Sequence, residues 1–587
     1  MNTNNKSLKE IFSKALQFYK EKDLKSAEVL CSKILNIHSN HFDSIILLSN
    51  INAINKNFDK TRKLLHRGII IQPQNTTILN NLGTTYKELG KIQESISYYK
   101  KVLEFNSNHT NANYNLGIIY YESKKLDQAK KYLEKTIKIE PNHALAFFTL
   151  GNLLLELKEY EKAKMSYEKS VKISPTFSSA HNNLGLIFRL LGKYKESIKC
   201  YKKAIEINPN HANAYCNLGR SYTELGELKE AINSYQMAIK IEPENLYQYF
   251  YLSELSYDFF DSINESKINA IIKKRSNIMN IAFGNFLLAK YERRRKNYKK
   301  EFEYLIKAHS NYFDTKKEKF ELGVKYCFED VLSVSNFAVL NVSNNKFKNV
   351  VKPIFIVGVP RSGSTLLEKI LASGKQSICM GEEIAVLENF INKKIFEKKD
   401  TNLGNVDTIR SELINQYKEK KLIKKENKNI FTDKSLNNFF YLNLIKSIFP
   451  NAKIINCKRN YLASIMSILQ NNLTELPWAH NVENIFRYFD IYLKTIDKFR
   501  KNNPEFIYEL QFEKFTNHPE SESKKLMNFC ELEWDKKCLQ FYKRKDIISR
   551  TTSYLQIRKP IYKHPAEKYL PYREYLNDIG KKYPWFI

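Results

Sequence analysis

One interval governs the first half of this chain. Glycines stand at Gly83, Gly117, Gly151, Gly185 and Gly219, each 34 residues after the last, and a leucine precedes every one of them. Prolines keep the same interval at Pro141, Pro175, Pro209 and Pro243, with Pro73 in phase and Ser107 in the gap. Twelve residues after the glycines come Ser95, Ala129, Ala163, Ser197 and Ala231. Small residues permit close helix contact, and proline cannot continue a helix beyond its first turn. A period of this length is therefore one helix–turn–helix unit, and such units bury their apolar faces only by stacking on neighbours. The expected fold is an α-solenoid.

The pattern resembles the tetratricopeptide repeat. Residues 8–41 and 42–75 fit the same frame loosely, giving about seven repeats in 8–245. Residues 246–278 keep a helical pattern without the glycine, so the array is expected to span 1–278. Degenerate helical repeats and a polar linker follow in 279–350, with helix pairing in 280–312 and helical segments in 315–342. Such a solenoid presents a concave surface. Two positions before each glycine lie Asn81, Asn115, Thr149, Asn183 and Asn217. An amide side chain both donates and accepts, so this row is expected to hold an extended peptide by its backbone.

From residue 351 the interval stops and short apolar runs alternate with helical stretches. Strands are expected at 352–358, 429–433, 452–457 and 506–510, which implies a parallel sheet covered on both faces, an α/β P-loop-like domain over 351–587. The first strand runs through Ile354-Phe-Ile-Val-Gly358 into Val359-Pro-Arg-Ser-Gly-Ser-Thr365 and then a helix. A strand, a glycine turn and a helix N-terminus form an anion cradle, with roughly half a positive charge from the helix dipole. Gly358 and Gly363 match the nucleotide P-loop, but Ser364 fills its lysine position, which disfavours a nucleoside-triphosphate enzyme. Cations follow other strands instead, Lys434 after the second and Arg459 after the third. Ligands of such sheets sit beyond the carboxyl ends of the strands.

The formal net charge is +32. The excess lysines are spread among glutamates along helices, as on a solvated surface, and Phe541-Tyr-Lys-Arg-Lys545 is too short a basic run to imply nucleic acid. Eight cysteines without a C-x-x-C pair indicate a reduced, cytoplasmic protein without a structural metal. No apolar stretch is long enough to span a membrane, and the residues behind Met1 form no apolar leader.

The loop Val359–Thr365, Gly381-Glu-Glu383, Asp433-Lys434, and Arg459 with Ser467 resemble sulfotransferases that use 3′-phosphoadenosine 5′-phosphosulfate (PAPS), protein-tyrosine sulfotransferases above all. The resemblance covers most of 351–575 together with the repeats upstream. It implies that Arg361, Ser362, Gly363, Ser364 and Thr365 hold the 5′-phosphosulfate, and that Arg459 and Ser467 hold the 3′-phosphate. It also implies that Lys434 stabilises the leaving phosphate, that Glu383 (with Glu382 as the alternative) is the base, and that Ser553 and Lys568 are later donor contacts. The chain departs from the family's pattern at Phe512, where tyrosine is usual, at Gly374-Lys375, and at Pro565. His480 is expected to be a structural histidine. Sulfuryl transfer is an in-line displacement like phosphoryl transfer, needing position and charge stabilisation, and no metal is expected. The implied acceptor is a hydroxyl, tyrosine first, on a protein or peptide bound with help from the repeats. The alternatives are a carbohydrate acceptor, or a repeat scaffold with a non-catalytic nucleotide domain.

Overall fold

The computed structural model describes residues 2–255, 264–274, 277–335, 351–376, 378–397, 405–423, 429–544, 556–563 and 566–586. The chain divides into two compact units, Met1–Pro209 and Asn210–Ile587.

The first unit is six antiparallel helix pairs, from Asn2–Lys20 with Leu24–Ile37 to Ser178–Leu190 with Tyr194–Ile207. The second helix of a pair stops just before its proline, as Leu126–Ile139 does before Pro141 and Tyr160–Ile173 before Pro175. The repeated glycines have a definite packing partner. A Cβ on Gly83 would stand 2.6 Å from the ring of Tyr99, on Gly151 2.7 Å from Tyr167, and on Gly185 2.8 Å from Tyr201. These tyrosines are fully buried, so each ring lies flat on the backbone that the missing side chain bares. Twelve residues on, Ser95 donates its hydroxyl to the Gly83 carbonyl at 2.6 Å, and Ala129 and Ala163 are fully buried at the equivalent site.

The polar row is largely spent on the solenoid itself. Asn183 Nδ2 donates to Asn152 Oδ1 at 2.8 Å, Asn81 Nδ2 reaches Asn50 Oδ1 at 3.4 Å, and Thr149 turns its hydroxyl back to the Leu145 carbonyl at 2.9 Å. Two of the asparagines thus bond to the repeat before them.

The second unit opens with the helix pair Ala212–Leu225 and Leu228–Ile241; Leu246–Leu255 and Glu265–Lys273 then both pack on Ile278–Arg294, which pairs with Tyr298–Asp314. Helical segments at Lys317–Lys325, Tyr326–Asp330 and Val331–Ser335 precede the sheet. Among the described residues the sheet has four parallel strands, β1 (Val351–Gly358), β2 (Asn429–Asp433), β3 (Lys453–Lys458) and β4 (Ile507–Gln511), in the order β2-β1-β3-β4. Strand alternation sorts the core. Phe355 and Val357 face a layer that includes Phe286, Leu305, Ile465 and Phe489, whereas Ile354 and Ile356 face Leu367, Ile370, Leu371 and Leu526. Among the described residues no helix is long and apolar enough to cross a membrane. All eight cysteines stand as thiols.

Replacing Gly151 by alanine forces a Cβ into the Tyr167 ring. We expect a loss of about 1–3 kcal/mol, the usual cost of overpacking, read as a lower urea midpoint of the helical circular-dichroism signal.

Candidate active site

β1 delivers its last residue, Gly358, to a turn that only glycine permits. A Cβ there would be 2.5 Å from Ser362 Oγ and 3.1 Å from Cys457 Cβ. The loop then passes through Arg361 at φ 68° and Gly363 at φ 100°, both left-handed, and enters the helix Ser364–Ala372. The first N–H groups of a helix have no intrahelical acceptor, so this terminus presents donors outward. Ser362 is fully buried with its hydroxyl under Gly358, so its side chain supports the loop from below.

Arg361, Gly363, Ser364, Thr365 and Leu366 form one wall of a cleft; Arg459, Phe512, Thr516, Phe541, Ile557 and Lys559 to Tyr562 complete it. Arg459 follows β3 directly and donates to the Arg361 carbonyl at 2.7 Å. Arg361 Nε donates to Ser467 Oγ at 3.0 Å. Three expected anion contacts therefore meet at one point. Burial, and then the neighbouring Arg459 guanidinium, hold Arg361 below the ordinary arginine range. Two cations gathered under partial burial favour an anionic ligand between them. Phe512 packs where a Gly363 side chain would be, 2.3 Å from that Cβ position, with Arg459 over its ring at 5.1 Å. The Cδ2–Cε2 side of the ring does the packing, and a hydroxyl is not required for it.

The acids reach the site by a route with no strand-like sequence pattern. Cys379 bridges Phe431 and Glu382 bridges Lys434, so residues 379–383 lie parallel along the outer edge of β2. Gly381 makes this possible, since a Cβ there would be 2.3 Å from the Thr432 carbonyl oxygen. Lys434 N donates to the Gly381 carbonyl at 3.0 Å and Glu383 N to the Lys434 carbonyl at 3.2 Å. Lys434 Nζ consequently lies 2.8 Å from Glu383 Oε1 and 3.9 Å from Glu382 Oε1. Lys434 and Glu382 are buried, whereas the Glu383 side chain is 42% exposed and its backbone is left-handed at φ 51°. Burial opposes the Lys434 charge, yet Glu383, Glu382 and Glu368 hold the ammonium above the usual lysine range.

Asp433 fixes the turn that aims Lys434. It is fully buried and accepts from Tyr417 Oη at 2.7 Å, Ser435 Oγ at 2.6 Å and Asn438 Nδ2 at 2.9 Å. Lys568 is exposed, with its ammonium 4.7 Å from the centroid of the Tyr569 ring, and is not among the residues lining the cleft. Ser553 and Pro565 lie outside the described residues.

Residues 353–536 match the sulfotransferase family, and residues 74–140, 108–176 and 176–243 match the tetratricopeptide repeat. The chain joins tetratricopeptide repeats to a sulfotransferase-family domain. Similar proteins include an uncharacterized protein of Aquifex aeolicus (strain VF5), 30% identical over 321 residues, which are 51% of this chain and 41% of that one. Protein-tyrosine sulfotransferase A of Caenorhabditis elegans is 25% identical over 248 residues, 40% of this chain and 63% of the relative. This chain thus spans less than two thirds of either relative. Among solved structures, YrrB, a TPR protein with an unusual peptide-binding site, matches 31% of this chain and 95% of its own at 21% identity and a TM-score of 0.29.

Lys559 and Tyr562, beyond the matched residues 353–536, line the cleft but were not expected from the sequence. Their signal is a cation before proline, Lys559-Pro560, immediately after Arg558. Arg558 itself faces elsewhere, donating to the Glu224 carbonyl at 2.7 Å. His480 is buried against His309, with the two Nδ1 atoms 3.0 Å apart. His309 Nε2 donates to the Leu469 carbonyl at 2.8 Å, so its Nδ1 is the acceptor and His480 Nδ1 the donor. This is a structural pair of neutral rings.

Burial lowers His309 to about 4, and burial followed by His309 lowers His480 to about 2. The unfolded chain therefore binds protons below pH 6.5 that the folded one refuses, and stability falls as pH falls. We expect a loss approaching about 1.4 kcal/mol per pH unit for each ring between pH 6 and 4, visible as a falling thermal midpoint that is shallower in His480→Phe.

Proposed function

We propose that this protein transfers a sulfuryl group from PAPS to a hydroxyl of a protein or peptide, tyrosine being the first acceptor to test. The observation that carries this reading is the Lys434–Glu383 pair at the end of β2, inside the domain that matches the sulfotransferase family and beside the strand that feeds the anion cradle. Arg361 and the helix N-terminus at Ser364 and Thr365 would take the 5′-phosphosulfate, and Arg459 with Ser467 the 3′-phosphate. The cradle suits such a ligand: it is cationic and narrowed by Gly363, and it carries the flat ring of Phe512 in one wall.

The chemistry asks two things of the chain's own residues. A neutral hydroxyl must lose its proton as the new S–O bond forms, and Glu383 has the exposure to receive it. Glu382 is buried, which favours Glu383 over it as the base. The bridging S–O bond breaks with its electrons left on the phosphate oxygen, and Lys434 is the buried cation that would stabilise them. Glu383 and Lys434 form an ion pair at 2.8 Å, so the two groups proposed to react are held side by side.

Support for a protein acceptor comes from the repeats, a fold that serves protein contacts, and from the relative named protein-tyrosine sulfotransferase A. Within the second unit, Glu254 at the end of the helix Leu246–Leu255 lies within electrostatic reach of Arg361.

The test is transfer of labelled sulfate from PAPS to tyrosine peptides, with polysaccharides in parallel. Glu383→Gln should lower turnover by about 10²–10⁴-fold, the usual contribution of a general base, and leave affinity for 3′-phosphoadenosine 5′-phosphate unchanged. Arg459→Ala should do the reverse, weakening that affinity at least tenfold, about 1.4 kcal/mol, by calorimetry. Absence of PAPS binding in the parent protein overturns the reading.

A further inference from the structure

Glu368 is a carboxylic acid in an unusual place. It lies on the helix Ser364–Ala372, one turn beyond the anion cradle, and is fully buried together with its neighbour Lys369. Its Oε1 accepts the Thr432 hydroxyl at 2.6 Å, while Oε2 has no hydrogen-bond partner among the described residues. Thr432 Oγ1 in turn accepts from Gly381 N at 3.2 Å, and Thr432 N donates to the Cys379 carbonyl at 2.9 Å. One buried carboxyl is thereby linked through one hydroxyl to the backbone of the turn that carries Glu382 and Glu383.

Holding a threonine hydroxyl does not require an acid; an amide or a backbone carbonyl would serve. A buried acid instead carries a large desolvation cost unless charges around it respond. The groups facing Glu368 are Lys434 from the end of β2, Glu382 from the turn, and Lys369 from its own helix. Lys434 is drawn in turn by Glu383, Glu382 and Glu368. Glu368 is thus the inner anion of a row whose outer anion, Glu383, is exposed.

We propose that Glu368 is a positioning residue for the transfer: through Thr432 it locks the Gly381–Glu383 turn, and through its charge it holds Lys434 at the end of β2. This rests on the reading of Lys434 and Glu383 as the reacting pair. Burial lifts the carboxyl to about 7, Glu382 adding to the rise while Lys434 and the Thr432 hydrogen bond oppose it. Its ionisation therefore falls in the neutral range, where it alters the field at Lys434 without touching the donor or the acceptor.

Three variants separate the two roles. Glu368→Gln keeps an acceptor for Thr432 and removes the charge; Glu368→Leu removes both; Thr432→Val cuts the link from the other side. The first readout needs no activity: hydrogen–deuterium exchange of a peptide spanning 379–385. We expect exchange there to rise about tenfold in Thr432→Val and Glu368→Leu and to stay at the parent level in Glu368→Gln. The second readout is kcat against pH. Glu368→Gln should lose a limb near neutral pH and fall about tenfold at its optimum, with the dissociation constant for 3′-phosphoadenosine 5′-phosphate within about twofold of the parent, in keeping with residues that orient a reacting group from behind.

Unchanged exchange in both Thr432→Val and Glu368→Leu overturns the lock. A Glu368→Gln profile superimposable on the parent overturns the charge role. A parent protein that transfers no sulfate would sink the functional reading and leave the exchange result standing. Should Glu368→Leu fail to fold, Thr432→Val and its rescue by Thr432→Ser carry the same comparison.

Discussion

A lysine ammonium buried at the end of β2 is the point on which the site depends. An unpartnered charge in that position would be expelled or neutralised, so its surroundings must supply anions at fixed distances. They do so by laying residues 379–383 along the strand edge, which spends a glycine, two left-handed residues beyond it at Glu383 and Ala385, and a buried threonine. Non-glycine residues in that region cost about 1–3 kcal/mol each and persist where the surroundings over-determine them. Arg361, also left-handed, shows the same pressure on the opposite wall. Among the described residues from 351 on, the other left-handed non-glycine residues are Lys421 and Glu531, each just beyond the end of a helix.

Much of this was legible from residues alone. Strands that run out into Arg361, Lys434 and Arg459 mark the side of the sheet on which cations gather, because Lys434 and Arg459 are each the first residue beyond a strand and Arg361 stands in the loop after one. The placement of Glu382 and Glu383 was not legible, since Cys379-Met-Gly381 is too short to show strand alternation and pairs only through isolated bridges. Glu368 was hidden for another reason. A charged residue at one position of an amphipathic helix reads as solvated, and only the packing of Thr432 against it shows that this helix has no solvated face there. Lys559 and Tyr562 sit far along the chain in a short irregular segment, where no periodicity announces which side faces the cleft.

The repeats show the converse limit. Their interval was unmistakable, and the glycine follows from the side chain sixteen residues later that needs bare backbone to rest on, a tyrosine ring at four of the five and Leu133 for Gly117. The row of polar residues two positions earlier was equally visible, but its hydrogen-bonding partners were not. Asn183 and Asn81 bond to asparagines of the preceding repeat, so part of the row stiffens the stack.

The helix pair Ile278–Arg294 and Tyr298–Asp314 holds the sulfotransferase-family domain by buried polar contacts. Glu301 accepts from Gln470 at 3.0 Å, from Tyr572 at 2.5 Å and from Arg293 at 2.6 Å, while His309 takes both His480 and the Leu469 carbonyl. Gln470 and Leu469 end the very helix that carries Ser467. Recombination that grafted this domain onto foreign repeats at residue 351 would therefore leave a half-buried amide, a buried imidazole and a buried phenol without these partners behind the helix that carries Ser467. The last helical hairpin has to be inherited with the sulfotransferase-family domain, and the evolutionary joint of the chain is expected upstream of it.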